Sequence, residues 1–396
     1  MPRSEGKVII LTARYGEGHW QVAQALKQQL ERHGAEVLIV DLMAEAYPKW
    51  DAFIRFLFLH SSTMSLYGFN YYGWSYYGTR RMERNHPLVK TGFALGTRKL
   101  KQLLALHRPS GVISTFPFFD VAAVVRRMGM HIPTSTVMTD YDLHHRWIQS
   151  TQDEYYVATE SLAQLMQAGG IDPRLIHVSG IPVRTGFTEA ARLLELGTHA
   201  GEGKDLRQAA LRQTYGLDAS KRTTLIMSGG FGAQVISKRF VERLMAIPDH
   251  QCAIVCGRNG RWQALLKKKH AESPNVHIYG YVERVHELMA CSDAVVTKAG
   301  GLTLTEALVL RVPLFLVRPQ PGQERENARY FAKQGAAIVA RHESELAVQL
   351  MEAYSSPERL SAMRARMSDM ARPRAAELIA DDVMHRMAAE RVRALQ

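Results

Sequence analysis

The chain is predicted to fold as two α/β domains, each a doubly wound parallel sheet. Three observations predict it. Short, β-branched and almost wholly apolar runs alternate with stretches of helical period, as strands buried on both faces and their crossover helices do. Glycine-rich turns follow several of those runs and open the next helix, where open α/β sheets bind ligands. The alternation breaks once, in a polar stretch from about Glu189 to Ser220, and then restarts.

The first run is "KVII" (Lys7 to Ile10), continued by "LTARYGEGHW". The following "QVAQALKQQLERHG" is apolar at Val22, Leu26 and Leu30 and stops at Gly34, so it is a helix. Gly16, Gly18 and His19 therefore lie in a strand-to-helix turn. Glycine there either lets the chain turn sharply, with His19 on the surface, or makes room for a ligand; the turn alone fits both. The spacing is not GxGxxG, so it is no dinucleotide fingerprint. Further strands are predicted at "AEVLIVD", "GVISTFP", "TSTVMTD", "DEYYVAT" and "LIHVSG". After the break they resume at "TTLIMSGGFG", "QCAIVC", "NVHIYG", "DAVVTKAGG", "VPLFLV" and "AAIVA". The expected plan is an N-terminal domain over 1–188, a connection over 189–220 and a second domain over 221–365. Helices over 366–396 pack back on the first domain. The two domains are expected to face one another across a cleft.

A length of 396 residues suits two domains, each with a substantial core. Three cysteines make no disulfide framework, which fits a reducing compartment, and Cys252 and Cys256 read as core. There is no signal-peptide pattern and no run of about 20 apolar residues. The expected location is cytoplasmic, peripheral on the inner face of the cell membrane. The net charge of +12 calls for an anionic partner. It is concentrated from Arg80 to Arg108, where Arg80, Arg81 and Arg84 belong to eight Lys/Arg set against the single acid Glu83. Just upstream, a segment holding Trp50, Phe53, Phe56 and Trp74 is packed with aromatics. Such a pairing suits the interface of an anionic membrane, a base-stacking surface, or an aromatic core beneath a solvated helix. No nucleic-acid-binding motif accompanies it, so no nucleic acid is expected as partner.

In the second half, "SGGFGA" follows a strand and opens a helix, and the amides at Gly230 and Gly232 suit a phosphate as well as a bare turn. More specific is "DAVVTKAGGLTLTEAL". Gly300 and Gly301 let a diphosphate approach the backbone, Thr303 adds a hydroxyl, and Glu306 can accept from a ribose diol. A third loop, "RPQPGQERENARYF", puts Gln323, Glu324 and Asn327 at a helix start, with groups that sugar hydroxyls need. No cluster has convincing metal spacing, since His144 and His145 are adjacent.

Taken together, "ILTARYGEGH", "MTDYDLHHRW", "VSGIPVRTGF", "AGGLTLTEA" and "PGQERENA" resemble glycosyltransferase family 28. Within it the resemblance is to the processive diacylglycerol β-glucosyltransferases and monogalactosyldiacylglycerol synthases, and more distantly to MurG. It spans residues 7–340. It implies a GT-B fold, an inverting mechanism with no bound metal or other cofactor, a UDP-hexose donor (UDP-glucose favoured) and a diacylglycerol acceptor. Under it, His19 is the general base. The donor set is Gly18, Gly230, Gly232, Val282, Gly300, Gly301, Thr303, Glu306, Gln323 and Glu324. Gly16, Trp20 and Asp140 lie on the acceptor side. The implied membrane contacts are Trp50, Phe53, Phe56, Trp74, Arg80, Arg81 and Arg84. Arg14 and Trp20 depart from the family pattern beside the reacting centre. The competing readings are a MurG-like transferase with a polyprenyl-linked acceptor, a UDP-sugar 2-epimerase, and a non-catalytic basic module binding membrane or nucleic acid.

Overall fold

The computed structural model describes residues 5–66, 71–80, 96–117, 120–149, 151–198, 202–227 and 236–395. They form two compact units. One holds the chain up to Arg184, Pro321–Gln323 and the segment from Arg372; the other holds Thr185–Gln320 and Glu324–Ala371.

The first unit runs β1 (Lys7–Thr12), α1 (Glu17–Arg32), β2 (Glu36–Asp41), α2 (Leu42–Ala46), α3 (Pro48–Leu66), α4 (Tyr71–Thr79) and α5 (Thr97–His107). It continues with β3 (Gly111–Ser114), α6 (Val121–Arg127), β4 (Thr134–Val137), α7 (Arg146–Gln149), β5 (Glu154–Val157), α8 (Glu160–Ala168) and β6 (Ile176–Val178). Every pairing is parallel, in the order β2-β1-β3-β4-β5-β6. Val8, Ile9 and Ile10 of β1 are fully buried, as a central parallel strand covered on both faces requires. The α1 stripe of Val22, Leu26 and Leu30 is buried too; each such side chain contributes about 1.5–3 kcal/mol.

The chain steps from β1 outward to β2 and then returns to β3 on the other side of β1. Helices following β1 and β3 thus leave towards opposite faces, opening a crevice at the strands' carboxyl ends. Gly16 to His19 follow β1 directly, which puts them at this switch point.

In the second unit the elements are α9 (Thr185–Thr198), α10 (Glu202–Thr214), β7 (Arg222–Met227), α11 (Lys238–Leu244), β8 (His250–Val255), α12 (Gly260–Lys269) and β9 (Val276–Tyr279). Then come α13 (Val285–Ala290), β10 (Ala294–Thr297), α14 (Gly301–Leu310), β11 (Leu314–Val317), α15 (Gln323–Lys333), β12 (Ala337–Ala340), α16 (Glu343–Ser355) and α17 (Pro357–Met370). Its sheet is again parallel, ordered β12-β11-β10-β7-β8-β9, with the switch point between β7 and β10. The turn carrying Gly300 and Gly301 follows β10.

One feature differs from the expected plan. The stretch 189–220 is no open connection: it folds into α9 and α10, and Arg212 anchors the latter on Asp293 at 2.9 Å. Its polar sequence hides this because only one stripe of each helix is covered. The last helix, α18 (Ala375–Leu395), belongs to the first unit. There Asp382 accepts from Tyr156 at 2.5 Å, and Asp381 pairs with His33 at 2.7 Å.

Candidate active site

In the first unit the carboxyl ends of β1, β3 and β4 meet at His19. Its Nδ1 lies 2.8 Å from the Thr115 carbonyl oxygen and 3.0 Å from Thr139 Oγ1. A carbonyl can only accept, so Nδ1 carries the proton and Nε2 keeps its lone pair. Thr115 is itself fixed, its hydroxyl donating to Thr12 Oγ1 at 2.9 Å. Phe116 meets the imidazole edge-on at 4.8 Å, and Trp147 lies 6.5 Å away. Burial pushes His19 down to about 4, while the hydrogen bond to Thr115 works the other way, so the ring is neutral near pH 7.

Around it, Gly16 is the extended N-cap of α1, and Trp20 lies under the Arg14 guanidinium at 3.7 Å. Arg14 and Trp20 therefore form one cation–π pair. The Arg14 amide donates to Asp41, which also caps α2 and pairs with Arg55 of α3 at 2.7 Å. Asp140 is buried immediately after Thr139. Two residues further, Asp142 receives both oxygens' worth of hydrogen bonds from Arg80 (2.7 and 2.8 Å) and one from Tyr76 (3.1 Å). Thr79 meets His144 Nε2 at 3.3 Å. The loop that holds His19 is thereby bolted to α4. Arg80, expected at a membrane, is turned to Asp142, whose two oxygens both accept from its Nη2 in a charge-assisted pair.

On α3, Asp51 and Arg55 face inward, joined at 2.6 Å, while Trp50, Phe53 and Phe56 are each more than half exposed. Trp74 of α4 is 78% exposed. Arg81 and Arg84 lie outside the described residues.

In the second unit Gly300 is the extended N-cap of α14, and a Cβ placed on it would meet no atom within 4 Å. Neither its backbone angles nor its neighbours require glycine, so the open space above it is available to a ligand. Gly301 is buried, Thr303 half-buried at the third helical position, and Glu306 buried one turn further along. Thr305 hydrogen-bonds back to the Gly301 carbonyl at 2.8 Å. Asn327 is not at a sugar position: it is fully buried and donates to the Ala299 carbonyl at 3.2 Å, bracing the glycine turn. Glu324 accepts from the Gln320 amide at 3.1 Å, while Gln323 opens α15. Val282 is half-buried on the loop between β9 and α13. Gly230 and Gly232 lie outside the described residues. Among the described residues no group of three or more His, Cys, Asp or Glu is placed to hold a metal, and no helix is long and apolar enough to cross a membrane.

Sequence reading missed Thr115, Thr139, Asp41 and Asp142. The one available signal was position: Thr115 directly follows β3, and Thr139 lies two residues past β4.

The fold matches solved structures over almost the whole chain. Acinetobacter baumannii MurG superposes with a TM-score of 0.60 at 16% identity, covering 96% of this chain and 99% of that one. The UDP-GlcNAc 2-epimerase of Neisseria meningitidis, bound to UDP-GlcNAc, gives 0.59 at 16% identity, covering 96% and 100%. Two doubly wound units with helix-opening turns at their switch points define the GT-B class of glycosyltransferase fold. Residues 19–183 match the monogalactosyldiacylglycerol (MGDG) synthase family model, and residues 223–381 the glycosyltransferase family 28 C-terminal domain. The processive diacylglycerol beta-glucosyltransferase of Bacillus licheniformis is 34% identical, covering 95% of this chain and 94% of that protein; the one of Bacillus subtilis is 33% identical, covering 96% and 94%. The chain belongs to glycosyltransferase family 28.

Proposed function

We propose that the protein transfers a hexose, with inversion, from a UDP-sugar (UDP-glucose favoured) to the hydroxyl of diacylglycerol. The observation that carries this reading is the contact of His19 Nδ1 with the Thr115 carbonyl, which leaves Nε2 free to act as general base at the switch point of the first sheet. As the acceptor oxygen bonds to the anomeric carbon, its proton passes to Nε2 and the bond from that carbon to the diphosphate breaks. The leaving UDP takes the electron pair. Its charge is met by the amides at Gly300 and Gly301 and by the N-terminus of α14, without a bound metal. Thr303 adds a donor, Glu306 holds the ribose, and Gln323 and Glu324 meet the sugar hydroxyls. Diacylglycerol resides in a bilayer, and the exposed Trp50, Phe53, Phe56 and Trp74 support docking on an anionic membrane from the cytoplasmic side.

The test is incubation of the purified chain with diacylglycerol vesicles and either UDP-glucose or UDP-galactose, following glycolipid and UDP. Glycolipid from UDP-glucose supports the reading, and a second, slower product marks processive addition. Glycolipid from UDP-galactose alone corrects the sugar. UDP release without glycolipid moves the acceptor to a polyprenyl-linked lipid. No reaction and no UDP binding overturns the enzyme.

A further inference from the structure

We propose that Thr139 is a positioning residue for His19, holding the imidazole in its base-competent orientation through its hydroxyl. The inference rests on the reading of His19 as the general base. Among the described residues, the hydrogen-bond partners of the His19 ring are the Thr115 carbonyl at 2.8 Å and Thr139 Oγ1 at 3.0 Å. Neither is a carboxylate. The histidine is therefore backed by two neutral dipoles, whose hold on the ring depends on their direction rather than on charge.

The two dipoles are held differently. The Thr115 carbonyl belongs to the backbone at the end of β3, and its residue is locked by the Thr115 amide donating to the Leu11 carbonyl at 2.9 Å. Thr139 offers a side chain. It is buried just beyond β4, and its branched Cβ restricts χ1, so the hydroxyl oxygen has few positions other than the one facing Nδ1. A shared Nδ1–H between carbonyl and hydroxyl fixes ring rotation in two directions, which a single acceptor does not. When Nε2 takes the acceptor's proton, Nδ1–H becomes a stronger donor, and both dipoles stabilise the imidazolium without receiving a proton. Thr139 thus acts only through His19.

The full chain as Thr139→Val, Thr139→Ser and Thr139→Asp, with His19→Ala for reference, tests this. Two readouts are needed: kcat and KM with UDP-glucose and diacylglycerol vesicles, and the titration of the His19 ring nitrogens by 15N NMR. Thr139→Val, which keeps the shape and removes the hydroxyl, is expected to lower kcat about tenfold with donor KM within about twofold, and to lower the His19 midpoint. Thr139→Ser restores kcat. Thr139→Asp, which puts a carboxylate at Nδ1, raises the midpoint by roughly a unit or more. A folded Thr139→Val with the kcat and the nitrogen titration of the unaltered chain overturns the proposal. The NMR titration reads Thr139 even where activity is lost. If His19→Ala keeps its turnover, the base reading fails instead, and the two failures are distinct.

Discussion

The Nδ1 of His19 lies 2.8 Å from the carbonyl oxygen of Thr115, a residue 96 positions away that directly follows β3. This contact leaves Nε2 as the nitrogen able to take a proton in the proposed reaction, and the burial around it lowers the pH at which the ring protonates. An exposed histidine loses its base form as pH falls through about 6.5. Burial lowers His19 to about 4. The acid limb of kcat/KM is therefore expected near pH 4, with a flat profile from about pH 5.5 to 7.5. His19→Ala is expected to lose on the order of 10²–10⁴-fold in kcat. A limb near 6.5 would show that the ring is solvated in the working enzyme.

Gly300 separates a ligand role from a structural one. Its φ of −72° suits any residue, and a Cβ there meets nothing. Gly300→Ala is expected to leave the melting temperature unchanged or slightly higher, since alanine restricts the unfolded chain. Donor KM is expected to rise at least tenfold, because the methyl group stands where the diphosphate approaches. Unchanged donor affinity in that variant would remove the diphosphate from this turn.

Five histidines among the described residues resist protonation in the folded chain; for His270 and His277 too the first cause is burial. Burial lowers His19 and His250 to about 4, and burial followed by the nearby Arg146 lowers His144 to about 3. Their unfolded counterparts take protons near pH 6.5, so the folded state binds fewer protons between that value and about 4. The stability they contribute is complete above pH 6.5 and is lost as pH falls towards the folded values. Thermal melts are expected to be level above pH 7 and to decline steadily from 6.5 to 4.5. His250→Gln, which keeps a polar partner for Thr224 Oγ1, is expected to make that decline shallower by about one proton.

The outer face of α3 offers a test of membrane docking free of folding effects. Trp50, Phe53 and Phe56 are each more than half exposed, so replacing all three with Ser is expected to leave the melting temperature within a few degrees. Sedimentation with vesicles containing anionic lipid is expected to fall at least tenfold, and turnover on vesicle-borne diacylglycerol to fall with it. Undiminished sedimentation would place the lipid contact elsewhere.

The sequence by itself determined the twelve strands, their alternation with helices and the two glycine turns. Those features are local: a strand covered on both faces must be an apolar run, and a chain turning from strand to helix beside a ligand needs glycine. His19, Gly300 and Glu306 were legible as candidates because each sits in or shortly after such a turn. Thr115 and Thr139 were not, because a threonine after a strand end does not by itself mark a site. They matter only because the order β1-β3-β4 sets the ends of those strands side by side. Arg80 likewise read as one cation in a basic run until Asp142, 62 residues on, proved to hold it. The polar run 189–220 looked like a linker until its helices found a surface to cover. Strand order and partner choice are long-range properties, decided by which faces bury together, and only the tertiary structure holds that information.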